Sequence, residues 1–120
     1  MPSIEEDINR LQHIMDAARK ALSFTKGLSR HHLDSDVKLT LALTRLLEIV
    51  GEAASQIAPD TKNRFSAIPW KKIVGMRNRL IHGYQNVNLD ILWQTITDDL
   101  PPLVTTIQKV IDEAKGQQRL

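Results

Sequence analysis

The sequence predicts an all-α protein, an up-and-down helical bundle of four main helices plus a shorter one. Three observations point there. Apolar residues recur at steps of three and four along most of the chain, the period of an amphipathic helix. The chain has one Tyr, two Phe and two Trp in 120 residues, so its core is built mostly from Leu, Ile, Val and Ala, a palette suited to packed helices. No strand-like alternation, internal repeat or low-complexity segment interrupts the pattern. The length fits one domain over residues 1–120.

The elements follow in order. Ser3-Ile4-Glu5-Glu6 reads as a capping box, with Ser3 as N-cap and Glu6 reaching back. Ile4, Ile8, Leu11, Met15, Ala18 and Leu22 then trace the apolar stripe of a first helix, which Gly27 should stop. Residues 27–35 read as a polar loop. A second helix starts at Ser35 or Asp36, carries Leu39, Leu43, Leu46, Leu47, Val50, Ala54 and Ile57, and stops before Pro59. Gly51 inside it costs about 1 kcal/mol relative to Ala, which close approach of another helix would justify. Residues 59–68 read as a connection. Pro69 suits the first position of a third helix through Trp70, Ile73, Met76 and Leu80 to Gly83. Asn88 can cap a fourth helix, with Asp90 in its first turn. Leu100-Pro101-Pro102 should break or kink the backbone before a fifth helix through Leu103, Ile107, Val110 and Ala114. The tail, residues 116–120, is expected to fray.

Composition narrows the function. Without cysteine there is no disulfide scaffold or thiolate zinc site. The net charge is +2, so any RNA contact must come from a local patch, and Lys62, Arg64, Lys71 and Lys72 form one candidate. An ordinary solvated face is the competing reading of that group. No apolar run approaches the roughly 20 residues of a membrane span, and the acidic N-terminus is unlike a signal peptide. The expected compartment is the cytoplasm, with no membrane association.

The chemistry-bearing stretch is GMRNRLIHGY, residues 75–84. Cleaving RNA without a metal requires a proton taken from the 2′-hydroxyl, a proton given to the leaving oxygen, and stabilisation of the added negative charge. Histidine suits the transfers, and arginine the charge. Arg77 and His82 supply one of each. Asn78 lies four residues before His82, on the same helical face, where it can orient the imidazole. Arg77 is offset from His82 by about 140° around an ideal helix. The two can still converge through the length of the Arg side chain, through loosening at Gly83, or across a dimer axis. Spacing alone favours the other reading, a C-terminal capping histidine with solvated arginines.

Glu48 and Glu52, one turn apart, are expected to pair with Arg77 or Arg79 or to steady a dimer. His31-His32-x-Asp34-x-Asp36 offers metal-ligand types without a recognised ligand spacing, so a solvated loop and no metal site is the expectation. Trp70 and Trp93 are candidate core or interface anchors.

The motif R-N-R-L-I-H-G-Y, from Arg77 to Tyr84, resembles the signature of the HepT-like branch of the HEPN superfamily, the toxin half of HepT–MntA toxin–antitoxin pairs. The likeness extends along nearly the whole chain, through DINRLQHIMDAARKALSFTKGLS, LLEIVGEAAS, IPWKKIVGMRNRLIHGY and LDILWQTITDDLPPL. The resemblance implies a HEPN-like helical bundle that dimerises and cleaves RNA without metal or cofactor at a homodimer cleft. It implies Arg77 and His82 as the catalytic pair, with Asn78 supporting. It implies an RNA substrate and leaves tRNA and mRNA both open. It also implies neutralisation by an MntA-like minimal nucleotidyltransferase, which transfers AMP to Tyr84. The added phosphate would fill the anion site and repel an RNA backbone. The competing reading of Tyr84 is a loop ring packed on Trp93. The competing function is a non-catalytic helical adapter that binds a nucleotidyltransferase or RNA.

Overall fold

The computed structural model describes residues 3–80 and 86–118. Its α-helical segments are α1 (Ile4–Thr25), α2 (His32–Ser35), α3 (Val37–Ser55), α4 (Pro59–Arg64), α5 (Trp70–Val74), α6 (Met76–Leu80), α7 (Leu89–Gln94) and α8 (Leu100–Gln118). A π-helical turn, Thr95–Asp99, joins α7 to α8. The only strand-like feature among the described residues is a single bridge position at Val87. The all-α class therefore holds, while the count of four helices plus one, simply up-and-down, does not. Short segments fill two expected connections, and one expected rod is divided.

Local chemistry explains most boundaries. The Ser3 hydroxyl accepts the Glu6 amide at 3.1 Å, starting α1. Glu6 itself lies 3.9 Å from Arg10. Gly27, at φ 77°, takes the left-handed conformation that ends the helix. Asp36 caps α3 by accepting the Leu39 amide at 3.0 Å, and Asn88 caps α7 by accepting the Ile91 amide at 3.0 Å. Residues 59–64 form α4 because Pro59 opens it, Asp60 lies in its first turn, and Lys62 and Arg64 close it. The proline suits a first helical position, where no amide donor is needed, and the charges at the two ends complement the helix dipole.

The third expected rod is split at Gly75, the C-cap of α5, and Pro69 stands as N-cap rather than first helical residue. The Pro101-Pro102 step does not break the chain. The Leu100 amide reaches back five residues to the Thr95 carbonyl. This wider turn makes room just where two prolines lack amide donors and would crowd preceding carbonyls.

Helix α1 packs chiefly on α3 and α8, and α3 also receives α5 and α6. The core is one apolar cluster. Leu11, Ile14 and Met15 of α1 meet Leu43, Leu47 and Val50 of α3, with Ile73, Met76, Leu80, Leu92, Ile96 and Ile107 from the second half. Each such side chain contributes about 1.5–3 kcal/mol on burial. One polar group joins this interior. The fully buried Asp7 carboxylate accepts the Thr61 hydroxyl at 2.5 Å and the Ala58 amide at 3.3 Å, and Arg10 lies 3.3 Å away. It pins α4 to the start of α1.

Gly51 sits where α5 crosses α3. A Cβ there would stand 3.4 Å from the Ile73 carbonyl oxygen and 3.5 Å from that of Val74. The expected close approach is thus present. Gly75 differs, since its added Cβ would meet the Lys71 carbonyl oxygen of its own helical run at 3.3 Å.

Candidate active site at the α3–α6 groove

The crossing at Gly51 brings α6 alongside α3 and sets Arg77 and Asn78 over it. Met76 and Leu80 turn into the core, which leaves Arg77, Asn78 and Arg79 exposed on the outer face. A shallow groove of about 180 Å³ runs between the two elements, lined by Glu48, Gly51, Glu52, Ser55, Val74, Arg77 and Asn78. Arg77 and Asn78 therefore share one concave surface.

The charges in the groove are arranged in a short chain. Arg77 Nε lies 4.0 Å from Glu48 Oε1, with the two side chains 52% and 24% exposed. Arg45 Nη1 reaches Glu48 Oε2 at 3.3 Å and Glu52 Oε1 at 3.5 Å. Arg45 was not singled out from sequence, although it stands three residues before Glu48 and seven before Glu52 on one helix face. Arg79 goes elsewhere. It lies 3.9 Å from Asp99 of the π-turn, so of the two arginines expected as partners for Glu48 or Glu52 it is Arg77 that pairs, with Glu48. Arg77 alone of the two arginines faces the groove, and among the described residues its one ion pair is the long contact to Glu48.

His82 and Tyr84 lie outside the described residues, and so does the competing reading of Tyr84 as a ring packed on Trp93. Both ends of their segment are fixed. Leu80 is fully buried, and its carbonyl accepts the Asn88 amide at 2.7 Å, closing the chain back on itself. Beyond Asn88, Arg30 binds Asp90 at 2.8 Å and Asp34 at 3.0 Å. Hydrogen bonds to Asp34 and then Asp90 raise the Arg30 pKa above its ordinary value.

The histidine–aspartate loop has other work. The His31 and His32 rings stack at 4.4 Å, Ser29 hydrogen-bonds both, Asp34 pairs with Arg30, and Asp36 caps α3. Among the described residues no group of three or more His, Cys, Asp or Glu side chains is placed to hold a metal. None of the described helices is long and apolar enough to cross a membrane.

The sequence profile of the family described as ribonuclease HepT-like matches residues 14–110, covering most of α1 through most of α8 and all of the groove. The chain belongs to this HepT-like family. Relatives agree. A protein of Caldanaerobacter subterraneus subsp. tengcongensis, named as a candidate RNase, is 36% identical over 105 residues, covering 88% of this chain and 94% of its own. One from Methanocaldococcus jannaschii, also named as a candidate RNase, is 33% identical over 83% of this chain and 92% of its own. A protein of Thermococcus cleftensis, named as a probable ribonuclease HepT, is 35% identical over 83% and 91%. No solved structure is significantly similar to the chain. Membership in this family of HEPN-superfamily ribonucleases is consistent with a place in a toxin–antitoxin system.

Proposed function

We propose that this HepT-like chain is a metal-independent endoribonuclease toxin, acting as a homodimer, with Arg77 and His82 as the catalytic pair and Asn78 in support. The observation that carries the reading is the placing of Arg77 and Asn78 together on the solvent-open groove, with Arg77 only weakly neutralised by Glu48. In the proposed reaction His82 removes the proton from a ribose 2′-hydroxyl, and that oxygen bonds to the adjacent phosphorus. Arg77 stabilises the negative charge that develops on the phosphoryl oxygens. The bond to the 5′-oxygen breaks, and that oxygen receives a proton from an imidazolium, leaving a 2′,3′-cyclic phosphate and a 5′-hydroxyl. Loss of one such general acid–base group typically costs about 10²–10⁴-fold in rate. Control passes through Tyr84, where an MntA-like nucleotidyltransferase adds AMP and so places phosphate beside Arg77.

The test is incubation of the purified chain with total RNA in excess EDTA beside His82→Ala and Tyr84→Phe, with intact masses recorded to detect AMP. Wild type and Tyr84→Phe should cut, and His82→Ala should not. RNA with 2′-deoxyribose at the cut site should resist. AMP found on Tyr84→Phe after exposure to the transferase would move the modification site. No cutting by unmodified wild type would favour a binding adapter instead.

A further inference from the structure

Cations also gather outside the groove, at the corner between α4 and α5. Lys62 and Arg64 occupy the last turn of α4, Lys71 and Lys72 lie in α5, and Arg79 lies in α6. Beside them an open hollow of about 580 Å³ is lined by Pro69, Trp70, Lys71, Lys72, Gly75 and Arg79. Proline, indole and glycine give it apolar walls, and long cationic side chains edge it. The indole is anchored. Its Nε1 donates to the carbonyls of Lys62 and Phe65, both at 3.1 Å, which leaves the half-buried ring itself for a ligand. Lys62 Nζ stands 6.0 Å from the ring centroid. Asp99 partly neutralises two of the cations, lying 3.0 Å from Lys72 and 3.9 Å from Arg79. Among the described residues, Lys62, Arg64 and Lys71 enter no ion pair.

We propose that this corner is a second RNA contact, which holds a single-stranded stretch next to the Arg77 groove. One base packs against Trp70 in the hollow, and flanking phosphates lie on Lys62, Arg64 and Lys71. The proposal rests on the ribonuclease reading for its substrate class. Its chemistry is that of single-strand binders, in which a flat aromatic surface takes a base regardless of sequence and neighbouring cations follow the backbone. A duplex hides its bases inside the helix and cannot use the hollow. An acidic protein could satisfy the cations but has no equivalent demand for an open apolar recess beside an anchored indole. Arg77 lies six residues beyond Lys71 across the division at Gly75, and the two sites adjoin there, since Gly75 lines the hollow and its neighbour Val74 lines the groove. A bound strand can therefore reach both.

The probe is a fluorescein-labelled, 2′-O-methyl single-stranded RNA 12-mer, which cannot be cut, with binding read by anisotropy. The corner variant combines Lys62→Glu, Arg64→Glu and Lys71→Glu. The control variant combines Lys20→Glu, Lys26→Glu and Lys109→Glu, and it changes the net charge equally at exposed positions elsewhere. The corner variant should raise Kd by at least about tenfold and flatten the salt dependence by about two logarithmic units per decade of salt, as loss of three single-strand phosphate contacts requires. The control should bind like wild type. In a Trp93→Phe background, which leaves Trp70 as the sole indole, RNA should quench the fluorescence and inorganic tripolyphosphate should not. Equal weakening in both variants would reduce the effect to overall charge and overturn the proposal. So would wild-type affinity in the corner variant, or an unquenched Trp70. Corner-dependent binding by a chain that cuts nothing would remove the ribonuclease reading while keeping the binding site.

Discussion

In the proposed reaction Arg77 would face two competing anions, the Glu48 carboxylate at 4.0 Å and an incoming phosphate. A half-solvated pair at that distance contributes about 0.2–1 kcal/mol, against a substrate that brings a full charge and two-pronged acceptors. On the proposed ribonuclease reading, Glu48 would act as a weak placeholder for the substrate. Glu48→Gln keeps the side-chain shape and removes the charge, so the Kd for uncleavable RNA should fall by up to about fivefold. Anisotropy titration measures this, and an increase in Kd would show that Glu48 instead holds Arg77 in its working position. Arg77 and Asn78 are legible from the sequence through their chemistry, their spacing to His82 and the likeness of R-N-R-L-I-H-G-Y to the HepT-like signature. Arg45 was legible as well, since its spacing to Glu48 and Glu52 places all three on one face of α3. What spacing could not say was which arginine would turn toward α3. Arg77 and Arg79 are two residues apart and point to different sides, and only the docking of Met76 and Leu80 into the core decides which side meets Glu48.

At the scale of elements, what could be read in advance was local. Ser3, Asp36 and Asn88 cap within three residues, and Gly27 stops α1 by its own backbone freedom, so no distant contact was needed to place them. Pro59 with Asp60 carried an equally local start signal for α4 that the connection reading passed over. The π-turn before Pro101 and the division at Gly75 were not legible in the same way. A proline pair demands some backbone adjustment, but whether the chain breaks or widens by one residue depends on what the flanking turns bury. Here Ile96, Leu100 and Leu103 all reach the core, which favours keeping the helix. Gly51 fixes how closely α5 approaches α3, and hence the width of the Arg77 groove. Gly51→Ala should stabilise by up to about 1 kcal/mol, since a Cβ at 3.4 Å is an ordinary contact and helix propensity improves by that amount. Gly51→Val adds methyl groups against the Ile73 and Val74 carbonyls and should cost about 1–3 kcal/mol. By moving α6 off α3 it should also lower cleavage. Urea unfolding and an RNA-cutting assay on both variants measure this, and a Val variant as stable and active as wild type would show that the crossing is not tight.

The whole molecule measures 51 × 30 × 20 Å, with a radius of gyration of 15.0 Å. A compact chain of this length would have about 13.6 Å. Its least dimension is two helix diameters, so long helices keep an outer face in solvent. On α3 that face carries Val37 at 70% and Leu41 at 64% exposure, and then Arg45, Glu48 and Glu52 at helical spacing. The apolar end and the charged groove thus lie on one stripe, with the exposed Val74 beside Arg77. A second copy laid along the stripe would cover Val37 and Leu41 and form the opposite wall of the groove, which supports the proposed homodimer cleft. In an isolated chain, Leu41→Asp at so exposed a position should change stability by no more than about 0.5 kcal/mol. In a dimer that buries Leu41 twice, the same change places two carboxylates in an apolar contact. Each lost leucine contact forfeits about 1.5–3 kcal/mol before charge desolvation is counted. Leu41→Asp should therefore sediment as a folded monomer with unchanged helical circular dichroism, and it should lose RNA cleavage although Arg77, Asn78 and His82 are intact. A variant that stays dimeric would put the interface on another face, and a monomer that still cuts RNA would show that one chain suffices for the chemistry.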